Sequence, residues 1–378
     1  MNTFPLRLIC VILLLPQGSR LAAGNPLTLL RQLGDLIDTM SVSSVDRRYI
    51  DAPEKPWQLI VKGNVNQSSM EMETSGSIGG HDYKASPYLE NEPTRYVGVW
   101  GGYRGYGLGY SVNVGGDKGS YLTFGATGGA YGVNVRIHSF KNSEPYFNLN
   151  TDLIPEEYEA EWEKVQLIDP IRVHTVIADG YYLFNGRRFS YAAAYDQSVL
   201  QKRSAGSLMA GAMYYYGRVD YATDTNADLI YIMQGLGRIK LWQGSVGVGY
   251  AYNLVPAQGL LVSAMAMPMV TFVNKVKAYG YSTNVPELMD NPRFMDEEIS
   301  VDDWDRWWYG NLRIAPIGTK TFSSAVTVNL DARLSVTYNI DRYFVNVYGQ
   351  YYNFRYHSSS SNGQLSDWFV NAVLGVRL

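Results

Sequence analysis

From Val326 to Asn339 the sequence alternates without a break between apolar and polar residues. Val326, Val328, Leu330, Ala332, Leu334, Val336 and Tyr338 hold one parity, and Thr327, Asn329, Asp331, Arg333, Ser335, Thr337 and Asn339 hold the other. Successive side chains of an extended chain point to opposite faces, so this segment is a strand with one greasy and one charged side. Its length narrows the choice further. A strand in a soluble sheet is typically about 5 or 6 residues long, whereas a tilted strand needs about 9 to 11 residues to cross the hydrocarbon layer. A long strand of this kind predicts a wall between acyl chains and a wet, enclosed interior.

The pattern recurs. Tyr106, Leu108, Tyr110, Val112 and Val114 alternate with Gly107, Gly109, Ser111 and Asn113, and Tyr131, Val133, Val135 and Ile137 alternate with Gly132, Asn134, Arg136 and His138. Val246, Val248, Tyr250 and Tyr252 oppose Ser245, Gly247, Gly249 and Asn253, and the chain closes with Trp368, Val370, Ala372, Leu374, Val376 and Leu378 opposite Asn371, Gly375 and Arg377. Between Arg172 and Phe184 either parity exposes a polar residue. Short turn sequences such as Arg104-Gly105, Asn185-Gly186-Arg187 and Ile340-Asp341-Arg342 belong on the periplasmic side of such a wall, and the long connections, roughly 70–94, 140–170 and 274–321, belong outside. The fold expected is all-β: a transmembrane antiparallel up-and-down β-barrel. Counting a weak strand at Asp228–Gln234 gives fourteen strands, with twelve as the alternative, because single-chain bacterial barrels have even numbers.

The beginning of the chain is of another kind. Arg7, an apolar run from Leu8 to Leu15, Pro16 and the small residues Ala22-Ala23-Gly24 have the order of a secretory signal peptide, too short to span a bilayer. Residues 1–23 are therefore read as a cleaved signal, 24–56 as a periplasmic extension and 57–378 as the barrel. Leu29, Leu30, Leu33, Leu36, Ile37 and Met40 stand at helical spacing in the extension, predicting a short N-terminal amphipathic helix that packs on the periplasmic rim or plugs the lumen. The single cysteine, Cys10, falls in the signal, so the mature chain has no disulfide, no cysteine-ligated zinc and no cysteine nucleophile. A net charge of -3 and the lack of a basic stripe argue against nucleic acid. The 31 tyrosines, 8 tryptophans and 37 glycines suit a barrel with aromatic girdles and crowded strands.

The stretches Arg188-Phe-Ser-Tyr191, Gln201-Lys-Arg-Ser-Ala-Gly-Ser207, Gly249-Tyr-Ala-Tyr-Asn253 and Tyr131-Gly-Val-Asn134 resemble an uncharacterised outer-membrane family known as domain of unknown function 4421. The resemblance runs from about Asp46 to the C-terminus. It implies export, a barrel and a Gram-negative outer membrane, and it transfers no catalytic residue. The last strand is similar to the terminal signal read by the barrel-assembly machinery, with Leu378 where an aromatic residue is commoner.

Three constellations carry candidate chemistry. His138 shares lumen parity with Asn134 and Arg136 and is a candidate general base for an outer-membrane hydrolase, but its neighbour Ser139 points to the opposite face, which leaves a rim histidine as the simpler reading. Lys62, Asn134, Arg136, Asp196, Asp331, Arg333 and Arg377 are candidate lumen residues, lining a selective pore or closing it by ion pairing. Asp302 and Asp303 beside Trp304, Trp307 and Trp308 in an outer loop are candidates for glycan or ligand binding. The tryptophans stand at i, i+3 and i+4, one helix face, which favours anchoring on the barrel mouth or the lipid interface. The basic turn Gln201-Lys202-Arg203-Ser204 is a solvated loop or a contact to lipid phosphate. No metal site and no cofactor are expected.

The functional expectation is an outer-membrane channel, uptake or structural envelope barrel in contact with outer-membrane lipid and lipopolysaccharide. An enzyme acting on those lipids and a surface glycan- or ligand-binding barrel are the alternatives. A small solute is a possible passenger.

Overall fold

The alternating segments are strands in the computed structural model of the protein, which describes residues 45–78, 81–85, 88–90, 93–116, 119–147, 163–164, 166–295, 298–323, 326–357 and 361–378. The predicted signal peptide and the predicted amphipathic helix lie outside the described residues.

Twelve strands close into one antiparallel barrel. They are β1 (Trp57–Ile78), β2 (Thr94–Tyr103), β3 (Tyr106–Gly115), β4 (Gly119–Thr127), β5 (Tyr131–Asn142) and β6 (Ile171–Leu183). The second half is β7 (Ala205–Asp220), β8 (Leu236–Ala257), β9 (Leu260–Thr283), β10 (Thr327–Ile340), β11 (Tyr343–His357) and β12 (Ser361–Arg377). Each pairs with its sequence neighbour, and β12 returns to β1 with Trp368 opposite Gln67 and Val376 opposite Leu59. Closure removes every edge within the wall, which a sheet in hydrocarbon requires because no water is there to satisfy a free edge.

The strand number is twelve, not fourteen. Asp228 to Gln234 is not a strand: Ala227–Ile232 form a helix, α2, whose Ile230 and Leu229 are buried with Tyr221 and Ile171 at the barrel's end. A further strand, Ile314–Ser323, pairs only with the far part of β9, Lys275 to Thr283, and stays outside the closed circuit.

The two parities face as the hydrophobic pattern requires. On β10 Leu334 is 66% exposed and Val328 60%, while Asp331 is 0% and Arg333 4% exposed. Val248 on β8 and Leu374 on β12 look outward in the same way. Apolar outside and polar inside is the reverse of a soluble sheet and the arrangement of an outer-membrane-type barrel. No described helix is long and apolar enough to cross a membrane.

One rim carries tight turns. Arg104 and Gly105 both have positive φ (47° and 89°), which the commonest two-residue hairpin turn demands, and Asp341 (φ 51°) and Gly259 (φ 81°) serve the neighbouring hairpins. The other rim carries the long connections, including helices α3 (Val285–Met289) and α4 (Val301–Asn311). A single long link, residues 184–204 between β6 and β7, departs from the short-turn rim.

Candidate functional site

The 184–204 link turns back into the lumen. Its turn is closed by Arg188 and Phe189 donating backbone N–H groups to the Asn185 carbonyl at 3.0 and 2.9 Å. Ser190 then caps α1 (Tyr191–Tyr195), its Oγ accepting from Ala193 N at 3.1 Å, one of the donors a helix start leaves unpaired. Three successive alanines, Ala192 to Ala194, allow the helix to fit among the walls, and all three are buried.

Strands around the circuit hold this stopper. Ser335 on β10 donates to the Ala194 carbonyl at 2.6 Å, and Asn253 on β8 donates to the Ser190 carbonyl at 2.8 Å. Arg377 on β12 grips the Gln197 carbonyl through Nε at 3.1 Å and Nη2 at 2.8 Å, and Gln58 on β1 reaches the Asp196 carbonyl at 3.3 Å. The Asp196 carboxylate accepts from Thr127 on β4. Burial pushes that carboxyl up from its ordinary value, against the hydrogen bonds from Thr127 and Ser198. Asp196 therefore reaches the lumen from an inserted segment and not from a strand of the wall.

Above the stopper lies a charge cluster. Arg333 pairs with Asp331 through Nε (3.1 Å) and Nη2 (2.9 Å), and its Nη2 also lies 3.2 Å from Asp179 on β6. Asn134 donates to Asp179 at 2.7 Å and to the Tyr191 hydroxyl at 3.1 Å, Tyr181 donates to Asp331 at 2.6 Å, and Gln350 donates to Asp331 at 2.9 Å. Arg136 donates to the Tyr352 hydroxyl, and its guanidinium lies over the Tyr352 and Phe369 rings at 4.7 and 4.4 Å. Arg333 also donates to Tyr191, so the cluster and the stopper are one hydrogen-bonded unit.

A family model described as Domain of unknown function (DUF4421) matches residues 44–377, nearly the whole described chain. The chain belongs to that family. No curated protein matches it. Among solved structures it is similar to the outer-membrane protease OmpT from Escherichia coli (9% identity, TM-score 0.36, 86% of this chain and 97% of that one). It is similar also to the toluene transporter TodX of P. putida (8%, TM-score 0.26, 86% and 91%) and to the β domain of the Bordetella autotransporter BrkA (10%, TM-score 0.31, 86% and 100%).

In the DUF4421 barrel a cavity of about 100 Å³ lies between stopper and wall. Lys62, Thr123, Asn134, Arg136, Arg333 and Gln350 line it from the strands, and Tyr191, Tyr195 and Asp196 from the stopper. Lys62 donates to Thr123 at 3.0 Å. A chamber of this size, with these charged and polar groups in its lining, has room for several waters. The seven residues singled out as lumen candidates thus all face inward, with Arg377 at the stopper, Asp196 on it and the others at the chamber or the cluster.

His138 is buried, with Nε2 2.7 Å from the Tyr96 hydroxyl and its ring packed edge-on to Tyr96 and Tyr121. Ser139 faces the other way and meets His174 Nδ1 at 2.7 Å, so neighbours in sequence form no nucleophile–base pair. The acidic outer loop folds as α4, and Trp304 and Trp308 stack at 5.3 Å. Their partners are Phe294, Val285 and Ala227 of the neighbouring long-rim segments. Asp303 bonds Ser300 and Arg306 (each 2.8 Å), the work of a helix cap and an i,i+3 pair, and Asp302 stands exposed in the same first turn. Among the described residues no group of His, Cys, Asp and Glu is placed to hold a metal ion. Lys202 pairs with Asp51 at 3.7 Å and Arg203 lies over the Tyr49 ring, so that basic turn ties down the segment before β1.

Asp179, Tyr191 and Tyr352 escaped the sequence reading. Asp179 sits on the strand whose parity was ambiguous, because its inner face also carries Ile177, Tyr181 and Leu183, buried against Phe189, Tyr191 and the inward methionines 209, 213, 265, 267 and 269. The available signal for the stopper was the Ala192-Ala193-Ala194 run in a link of 21 residues where its neighbours on that rim are tight turns.

Proposed function

We propose that this protein is exported by its cleaved signal peptide to the outer membrane of a Gram-negative envelope, inserted there by the barrel-assembly machinery, and serves as a porin-like, gated barrel for small polar solutes. The observation that carries the reading is the stopper. Residues 190–197 plug the short-turn end through hydrogen bonds from β1, β4, β8, β10 and β12, and a charged chamber waits behind them. Both strands that flank the link are ordinary wall strands, so the segment can leave the lumen without unpairing the wall. Inward charges of both signs then border the path, the usual basis of solute selection.

Planar-bilayer recording tests this. The wild-type barrel is expected to be silent or to open only briefly. Replacing residues 190–197 by a short Gly-Ser link, or combining Arg377→Ala with Ser335→Ala, should give steady conductance, with heat-modifiable gel migration confirming that each variant is folded. A steadily open wild type, or folded variants that remain silent, overturns the reading.

A further inference from the structure

The outward face of β5 to β9 changes character abruptly at the long-loop end. Below the change it is apolar, with Tyr214 on β7, Val246 on β8 and Val270 and Phe272 on β9 all exposed. At the boundary Tyr216 and Trp242 pack together at 5.7 Å, the amphipathic rings that mark a membrane–water interface. Immediately beyond them the register assembles cations. One row across the strands runs Lys141, Arg172, Asp220, Arg238 and Tyr279. The row beneath it runs Ser139, His174, Arg218, Lys240 and Lys277, and Lys275 stands opposite Trp242.

This arrangement is unfavourable for a bare sheet. Lys141 faces Arg172, Arg218 faces Lys240, and Lys240 faces Lys277 as direct cross-strand partners, and like charges so placed destabilise a sheet. The one carboxylate in the grid, Asp220, is occupied by Arg218 at 2.5 Å and Arg238 at 2.9 Å. Arg238, Lys240 and Lys277 crowd a single ring, Tyr279, at 5.3, 5.3 and 5.1 Å from its centroid. Among the described residues no carboxylate pairs with Lys141, Arg172, Lys240, Lys275 or Lys277. An open concavity of about 560 Å³ lies over this face, bounded by Ser139, Lys141, Arg172, His174, Tyr216 and Arg218.

We infer that this face binds the phosphate groups of outer-leaflet lipid, with the acyl chains lying on the apolar wall beneath it. Neighbouring strands are about 4.8 Å apart and alternate residues on one strand about 6.6 Å apart, so any phosphate seated here lies within reach of cations from two or three strands at once. Anionic oxygens would relieve the cross-strand repulsion, and the charge-assisted hydrogen bonds are the strong kind. The height fits as well: Lys275 follows Leu260, the start of β9, by 15 residues, beyond the about 9 to 11 that a tilted strand needs to pass the hydrocarbon. A phosphorylated glycolipid and a glycerophospholipid share this chemistry.

The test uses the full mature barrel in neutral detergent micelles doped with bisphosphorylated lipid A, enzymatically dephosphorylated lipid A, or phosphatidylglycerol, with bound lipid read by native mass spectrometry. Lipid A is expected to bind at least tenfold more tightly than its dephosphorylated form, and the tightness should fall with salt. Stronger binding of lipid A than of phosphatidylglycerol assigns the glycolipid as the source, and equal binding assigns any phosphate headgroup. Arg172→Gln with Lys277→Gln should weaken binding at least tenfold, while Lys202→Gln, on the opposite rim, should not. Equal affinity for the phosphorylated and dephosphorylated lipids, or an unchanged double variant, overturns the inference. The lumenal gating reading stands or falls separately.

Discussion

Arg333 shows how much of a lumen can be read one residue at a time. Its parity with Asp331 places both inward, and the structure joins them in a two-pronged pair that also touches Asp179. Parity says nothing about Asp179, which comes from a strand 154 residues away whose own faces are hard to tell apart, and nothing about the tyrosines that complete the network. Partners of this kind are set by the register of closure and not by local pattern. The energetic consequence is asymmetric: a buried pair is a modest source of stability, but removing one partner strands the other. Arg333→Met leaves two buried carboxylates facing each other and should cost about 3–5 kcal/mol, measured as a lowered urea midpoint in lipid vesicles. Replacing Asp331 and Asp179 by Asn in the same chain should restore much of the loss. If Arg333→Met alone is neutral, the cluster is not desolvated.

At the scale of elements, helix α4 and the stopper differ in what sequence can reveal. The i, i+3, i+4 tryptophans encode a helical face, and the helix is there, capped by Ser300. Which surface that face meets is not encoded locally, and it meets α2 and α3 at the long rim. Trp308→Ala should therefore release α4 while sparing the wall: proteolysis within the 284–313 connection should rise sharply and gel heat-modifiability should not change. The segment before β1 offers a pH-dependent counterpart. Asp46 accepts three hydrogen bonds from Arg48 and its backbone N–H donates to the Arg187 carbonyl at 2.8 Å, which fastens residues 45–51 to the stopper link. The Arg48 guanidinium holds the Asp46 carboxyl down at about 2, from an ordinary 3.8. A depressed carboxyl stabilises the docked state above the unfolded value and ceases to do so as pH falls through the folded one. Docking should be at full strength above pH 4 and weaken between about 4 and 2. Pepsin cleavage in residues 45–56 should rise across that window in the wild type, whereas Asp46→Asn should be equally cleavable throughout it.

For the whole molecule, the long alternating strands made a transmembrane barrel legible, because a period of two sustained past the soluble strand length has few other uses. Strand number was less legible. A short amphipathic run such as Asp228 to Gln234 satisfies a strand template and a helix template alike, and only its burial against Tyr221 and Ile171 decides for the helix. The filled interior blurred parity further, since methionines and tyrosines that pack inside the wall look like lipid-facing residues in sequence. The claim that the outer face meets acyl chains has a quantitative test that separates membrane from water. Leu334 lies near mid-height on β10 and Val328 near its long-rim end, and both are exposed to a similar degree. In water an arginine at either position would change stability by no more than about 0.5 kcal/mol, as for other exposed sites. In a bilayer the cost depends on depth, about 2–4 kcal/mol at the midplane and about 0–1 near the interface. Leu334→Arg should therefore destabilise the barrel by several times as much as Val328→Arg in reversible unfolding from lipid vesicles. Equal, small effects at the two positions would mean that this wall faces water, and the lipid-phosphate site above it would lose its leaflet.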